Sequence, residues 1–307
     1  LGALAIAGRE EAERWGSERA HVTFVAMGRY GGRGCSYAPD ADVIALHEPV
    51  GGASDSEAAA SATAIVNRVK KLLGSATSQL GIVVDLDLRP EGKNGPMSRT
   101  IASHEEYAQR WASTWERQAA VRARPIGSSD LDERARALFE SMAYREVSES
   151  EVRDIRLLKA RMENERLPRG SEPARHVKLG PGGLSDVEWT IQLIQMRHGA
   201  RLPALRTPST TQAIAVARDA GLLAAPDAEI LLNAWDLATR IRAGNTLATG
   251  RMSGVKLDVV PRDSAELSAL AAILGYGSGG LTALEEDWLR AARQARNVME
   301  RAFWEQQ

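Results

Sequence analysis

The sequence has one cysteine in 307 residues, Cys35, so no internal disulfide can form and a reducing compartment is the expected setting. No run of 18 or more apolar residues occurs, which argues against a membrane-spanning helix, and the first residues lack the basic-then-apolar layout of a secretory signal. Neither sign of charge is in excess: 39 Lys and Arg stand against 40 Asp and Glu, for a formal net charge of −1. A duplex-binding surface carries a basic excess, so nucleic acid is a poor candidate partner. The five histidines (His21, His47, His104, His176, His198) include no pair at metal-ligand spacing, which argues against zinc. There is no internal repeat and no low-complexity tract. An initiator methionine is also missing, and Leu1-Gly-Ala-Leu-Ala-Ile6 reads like the middle of a helix. The expectation is a fragment of a longer cytoplasmic protein.

What is present is an ordinary globular composition, 44% hydrophobic and 26% charged, in a chain long enough for one large or two ordinary domains. Strand and helix patterns alternate over residues 1–128. An apolar run from Val22 to Met27 leads into the turn Gly28-Arg-Tyr-Gly-Gly-Arg-Gly34, and a second strand over 42–47 is entered through Asp40-Ala-Asp42. Ser54-Asp-Ser-Glu57 forms a capping box for a helix whose Ala62, Ile65, Val66, Val69, Leu72 and Leu73 recur at spacings of three and four. A third strand is predicted over 82–88, its alternation placing Val83, Asp85, Asp87 and Arg89 on one face. Ser103-His-Glu-Glu106 is expected to cap a helix that carries Tyr107, Trp111 and Trp115, the tryptophans as packing residues.

From residue 129 every strong pattern is helical. Val152, Ile155, Leu158 and Met162 mark one helix, and Ile230, Leu231, Trp235, Ala238 and Ile241 another. The helix after Gly182-Gly-Leu-Ser185 has apolar rows on two sides, Val187, Ile191 and Ile194 on one and Trp189, Leu193 and Met196 on the next, so it is expected to be buried. Leu281, Leu284, Trp288, Ala292, Ala295, Met299 and Phe303 mark a long last helix. The change of pattern gives two domains, 1–128 and 129–307, punctuated by Pro125-Ile-Gly-Ser-Ser129. The fold class is α+β, a mixed first domain followed by an all-helical bundle.

Residues two apart in a strand share a face, so Asp40 and Asp42 present two carboxylates side by side. Like charges so placed remain ionised when a divalent cation lies between them. Gly28, Gly31, Gly32 and Gly34, just before them, allow the close backbone approach that a phosphate needs. The pattern points to metal-assisted nucleotidyl or phosphoryl transfer. A two-metal site commonly takes a third carboxylate, which either Asp85 or Asp87 supplies, since spacing alone does not choose between them. Arg89 and Lys178 are candidate triphosphate contacts. Asp186 and Glu188 read first as the acidic residues of a capping box begun by Ser185, and Cys35 as a small packing residue.

The carboxylate pattern resembles the DNA polymerase beta-like nucleotidyltransferases. Gly28-Arg-Tyr-Gly-Gly…Tyr37-Ala-Pro-Asp-Ala-Asp42, Val84-Asp-Leu-Asp-Leu-Arg-Pro90, Trp115-Glu-Arg-Gln-Ala-Ala-Val-Arg-Ala123 and Lys178-Leu-Gly-Pro-Gly-Gly-Leu-Ser-Asp-Val-Glu-Trp189 together resemble the glutamine synthetase adenylyltransferase / adenylyl-removing enzyme family. The resemblance covers residues 22–198 and implies a nucleotidyltransferase domain with a small mixed sheet, then a helical bundle. It implies Asp40, Asp42 and Asp85 as the Mg²⁺-binding catalytic carboxylates, with Gly28, Gly31, Gly32, Arg89 and Lys178 around ATP. Asp87, Glu116, Arg122, Asp186 and Glu188 are further site candidates within the matching motifs. Two positions depart from the family pattern, Pro39 where a Ser usually precedes the first Asp and Gly34 where an acidic residue is frequent; neither removes a metal ligand.

Members of that family have two similar halves, one removing AMP by phosphorolysis and one adding AMP from ATP. The ends of this chain resemble the second half, so the expected reaction is transfer of AMP from ATP to a tyrosine of glutamine synthetase, lowering its activity in nitrogen regulation. The alternatives are the adenylyl-removing half and a glutamine- or PII-sensing regulatory module. The resemblance also implies the PII signalling protein as a partner of the full-length protein.

Overall fold

In a computed structural model of the chain, residues 1–37, 40–74, 81–277 and 280–305 are described, Asp40 by its backbone alone. By its contacts the chain divides into two compact units, Leu1–Cys35 with Pro39–Arg145, and Ser36–Ala38 with Glu146–Gln307.

The first unit is built on a mixed sheet of β1 (Ala20–Ala26), β2 (Asp40–Pro49), β3 (Val83–Asp85), β4 (Ser98–Thr100) and β5 (Arg124–Pro125). The order is β3-β2-β1-β5, with β4 also on β2. β1 runs antiparallel to both β2 and β5, whereas β3 and β4 lie parallel to β2 along the same edge. Two helices, α1 (Gly2–Trp15) and α3 (Asp55–Gly74), cover one face; α2 (Gly28–Gly31) is a single turn between β1 and β2. Ala62, Ile65, Val66 and Val69 of α3 are buried, and Ile65, Val66 and Val69 meet Phe24, Val43, Ala45 and Val84 of the sheet in one core cluster. The Ser54–Glu57 capping box forms as expected: Glu57 Oε2 accepts from Ser54 N at 2.9 Å, and Ser54 Oγ accepts from Glu57 N at 3.4 Å. α4 (Ile101–Arg110), α5 (Thr114–Ala120) and α6 (Asp130–Ala143) complete the unit. His104, Tyr107, Phe139 and Met142 of these helices gather with Met27 and Ile44.

Three local expectations are corrected. The third strand stops at Asp85 instead of running to residue 88, because Asp85 Oδ1 accepts from the Asp87 N–H at 2.6 Å and turns the chain. α4 is capped by Thr100, whose Oγ1 accepts from Ser103 N, and not by Ser103 itself. The helix then breaks at Trp111, leaving that ring 74% exposed and not a packing residue, while Trp115 on α5 is 42% exposed and borders the Met27 and Phe139 cluster. The observed division also falls later than the change of pattern at 128/129. α6 stays with the first unit because Asp132 in its first turn accepts from Thr23 Oγ1 of β1, Gly127 N and Ser129 N.

The second unit is helical: α7 (Glu149–Glu165), α8 (Leu184–His198), α9 (Thr210–Asp219), α10 (Ala225–Thr249), α11 (Ser264–Ile273) and α12 (Gly280–Met299), the last running on into a π turn, Glu300–Trp304. α8 is buried almost all round, as its two apolar rows require, and α12 buries Leu284, Trp288, Ala292, Ala295 and Met299. The helix start differs from expectation: Ser185 does not cap, α8 begins at Leu184, and Asp186 accepts the Gly182 N–H at 2.7 Å instead. Its other carboxylate oxygen accepts from Lys159 Nζ at 2.6 Å, and Arg296 Nη1 lies 3.2 Å from Oδ2. Glu163 closes the network, 3.0 Å from Lys159 and 2.7 Å from Arg296. Lys159 and Asp186 are both 1% exposed, so removing either leaves a buried group short of a partner.

Two outcomes are expected. Replacing Lys159 with Met leaves Asp186 to Gly182 and Arg296 alone, and urea unfolding of the second unit should show a loss of about 3 kcal/mol. In the first unit, burial and then the Arg99 charge push the His104 pKa down to about 4 from an ordinary 6.5. The unfolded chain therefore takes up this proton at a higher pH than the folded one. Stability is complete above pH 6.5 and falls as pH drops towards 4, by about 3 kcal/mol from this group. Desolvation lowers His47 and His176 as well, adding to the loss in the same direction. Unfolding curves at pH 7.5 and 4.5 should differ less in His104→Leu than in the wild type.

Candidate active site

Residue pairing between β2 and β3 assembles the site. The parallel register is Asp40 with Val83, Ala41 with Val84, and Asp42 with Asp85. Paired residues of parallel strands lie about 4.8 Å apart and point to the same side, which sets the Asp42 and Asp85 carboxylates beside each other. Ala41, Val43 and Val84, one step out of phase, face the α3 side and anchor the strands in the core. Asp85 is further held by the bond from Asp87 N. The Asp40 side chain lies outside the described atoms, so the expectation for it is carried forward as one. Among the described residues, which leave out the Asp40 carboxylate, no group of three or more His, Cys, Asp and Glu gathers to hold a metal.

The glycine turn closes over Asp42. β1 delivers Met27, whose N–H donates to Asp42 O at 2.8 Å, and the chain then turns into α2. Gly28 has φ +51°, and a Cβ there would come within 2.8 Å of Asp42 Oδ2. Only glycine allows this backbone to approach the carboxylate so closely. Gly31 is needed for a different reason: a Cβ would meet Arg122 O at 1.9 Å and Ala26 O at 2.6 Å. Gly32 has an ordinary φ of −74°, and its N–H donates to Gly28 O. Two neighbouring, half-buried carboxylates are hard oxygen donors, a set that suits Mg²⁺ and not a soft metal.

The other candidates take varied positions. Asp87 is exposed, 3.4 Å from Lys93 and 3.9 Å from Arg89. Arg89 donates from Nε to Gly95 O and from Nη1 to Leu86 O, so much of its guanidinium holds the loop that follows β3. Glu116 completes a capping box with Ser113 and accepts from Tyr107 Oη at 2.8 Å. Burial, followed by that bond, pushes the Tyr107 pKa up to about 12. Arg122 is buried, with its carbonyl against Gly31. Lys178, Asp186 and Glu188 belong to the second unit. There Lys178 O accepts from Ser185 N at 2.9 Å, Asp186 sits in the ion network described above, and Glu188 is half-buried on α8.

Sequence reading passed over Arg124, one residue beyond the end of the Trp115–Ala123 motif. Its Nε donates to Gly31 O and its Nη2 to Tyr30 O, both at 3.0 Å. Burial first, and then the nearby Arg33 guanidinium, hold its pKa below the ordinary arginine value. The available signal was its place at the edge of the sheet, next to a motif already singled out.

Over residues 3–139 the chain matches the family model of glutamate–ammonia ligase adenylyltransferase, and over residues 156–303 that of PII-uridylyltransferase. It is 44% identical over 296 residues to a bifunctional glutamine synthetase adenylyltransferase/adenylyl-removing enzyme of Streptomyces coelicolor, a match covering 95% of this chain and 29% of that protein. Proteins of the same description from Streptomyces avermitilis and Bifidobacterium longum subsp. infantis are each 45% identical, over 95% and 94% of this chain and 29% and 27% of their own length. The chain thus spans less than a third of these relatives. No described helix is long and apolar enough to cross a membrane. Similarity along nearly the whole of this chain places it in the glutamine synthetase adenylyltransferase/adenylyl-removing enzyme family.

Proposed function

We propose that the first unit is a polymerase beta-like nucleotidyltransferase domain that transfers AMP from ATP to a tyrosine hydroxyl of glutamine synthetase. The observation that carries this reading is the register of Asp42 with Asp85 beneath a glycine turn. Asp40, Asp42 and Asp85 would hold Mg²⁺, which when bound neutralises phosphate charge and favours ionisation of the acceptor hydroxyl. The glycine turn brings its backbone against Asp42, and the charges of Arg33 and Arg124 on and beside that turn favour an anion near it. Arg89 keeps the loop after β3 in place, which steadies Asp85 at its start. In the reaction the tyrosine oxygen bonds to the α-phosphorus, the bond from that phosphorus to the bridging oxygen breaks, and pyrophosphate leaves. Holding the reactants in line supplies much of the rate advantage. The reverse sense, release of AMP from modified tyrosine by inorganic phosphate to give ADP, uses the same carboxylates. Relatives named for both activities keep it as the second reading.

Incubation with α-labelled ATP, Mg²⁺ and unmodified glutamine synthetase should label tyrosine. Phosphate with the adenylylated substrate should release little ADP. Asp42→Asn and Asp85→Asn should each lower transfer by at least about a hundredfold, while Asp87→Asn stays within about threefold of the wild type. Near wild-type transfer by Asp42→Asn contradicts the site, and ADP release without labelling reverses the direction.

A further inference from the structure

We infer that Arg124 is a positioning residue for nucleotide binding: it braces the glycine turn against the sheet and so fixes Gly28 beside Asp42. The inference rests on the nucleotidyl-transfer reading above, but the bracing itself is a property of the chain without ligand.

The turn does not hold its shape through its own bonds alone. α2 is a single turn, closed by Gly31 N to Met27 O at 2.7 Å, Gly32 N to Gly28 O at 3.1 Å and Gly34 N to Arg29 O at 2.8 Å. So short a helix holds its last carbonyls weakly, Tyr30 O accepting from Arg33 N only at 3.3 Å. Arg33 also adopts φ +57°, the left-handed region that disfavours residues with a Cβ. Arg124 adds shorter bonds from outside the turn. Its planar fork donates to two successive carbonyls, Tyr30 O and Gly31 O, and the guanidinium carbon lies 5.8 Å from the Tyr30 ring centroid. Lysine has no fork to meet both carbonyls at once.

Arg124 is itself held at both ends of its segment. In β5 it pairs with Ala26, the last residue of β1, two before the turn. Upstream, Arg117 is buried and donates from Nε to Met142 O at 3.0 Å and from Nη2 to Arg145 O at 3.2 Å, tying α5 to the end of α6. Between them, Arg122 O contacts the Cα side of Gly31 closely enough to exclude any side chain. The Trp115–Ala123 motif and the arginine after it thus form a strut from α6 to the turn. Because the turn's first residue lies against Asp42 Oδ2, movement at Tyr30 and Gly31 reaches the carboxylate directly.

A merely structural arginine would change stability and the fraction of active protein. A positioning one changes the turn and the apparent affinity for MgATP. In Arg124→Ala we expect amide exchange in the 28–34 peptide to rise at least about tenfold without ligand while α3 is unchanged. KM for MgATP should rise by about tenfold or more with a smaller change in kcat. Millimolar guanidinium should lower that KM again, and Arg124→Lys should fall between the two. Unchanged exchange at 28–34, or a lowered kcat with KM and guanidinium response unaltered, overturns the inference. If Arg124→Ala does not fold, Arg124→Lys decides on the same two readouts. Asp42→Asn separates the failures. If it is inactive while Arg124→Ala keeps its KM, the inference falls and the functional reading stands. If it is active, the reading falls and the exchange measurement still decides the bracing.

Discussion

The pairing of Asp42 with Asp85 across β2 and β3 is the constraint on which the rest of the first unit depends. Side chains alternate along a strand, so a slip of one residue would turn Asp85 towards α3 and bring Val84 beside Asp42. Such a slip would bury a carboxylate among Ile65, Val66 and Val69, which the core does not tolerate. The apolar face therefore selects the register, and the register gathers the charges. Burial of Val43, Ala45 and Val84 stabilises two carboxylates that would otherwise repel each other.

The two units arrange their charges differently. In the second unit Lys159, Asp186, Glu163 and Arg296 satisfy one another, and Asp186 also takes the Gly182 N–H. Such a network fixes how α7, α8 and α12 meet. In the first unit, Asp42 and Asp85 stand together with glycine backbone over one of them. Like charges placed side by side are costly to the fold and useful to a cation, which is the pattern expected of a site.

Much of this was legible in the sequence where the controlling interactions are local. The Ser54–Glu57 box, the burial of α8 and the long α12 stripe follow from spacings of three and four, which one helix satisfies alone. The Asp-x-Asp entering an apolar strand identified Asp42, and the family resemblance preferred Asp85 to Asp87. The structure supplies a reason for that preference, since the Asp87 N–H bond to Asp85 ends the strand and leaves Asp87 on an exposed turn. What could not be read depends on distant partners. Nothing near Asp186 in the sequence announces Lys159, 27 residues before it, or Arg296, 110 after it. Trp111 and Trp115 fit a helical stripe, but the stripe breaks at Trp111, whose ring faces solvent. Arg124 looks like any arginine until β5 places it against carbonyls 93 and 94 residues away.

The central claim is that Asp42 and Asp85 act together as ligands of one divalent-cation site. Mn²⁺ binding in the presence of a non-hydrolysable ATP analogue, followed by electron paramagnetic resonance, tests it without any protein substrate. The wild type should bind Mn²⁺, and Asp42→Asn and Asp85→Asn should each weaken that binding by at least about tenfold, while Asp87→Asn does not. Wild-type affinity in both Asp42→Asn and Asp85→Asn would contradict the account.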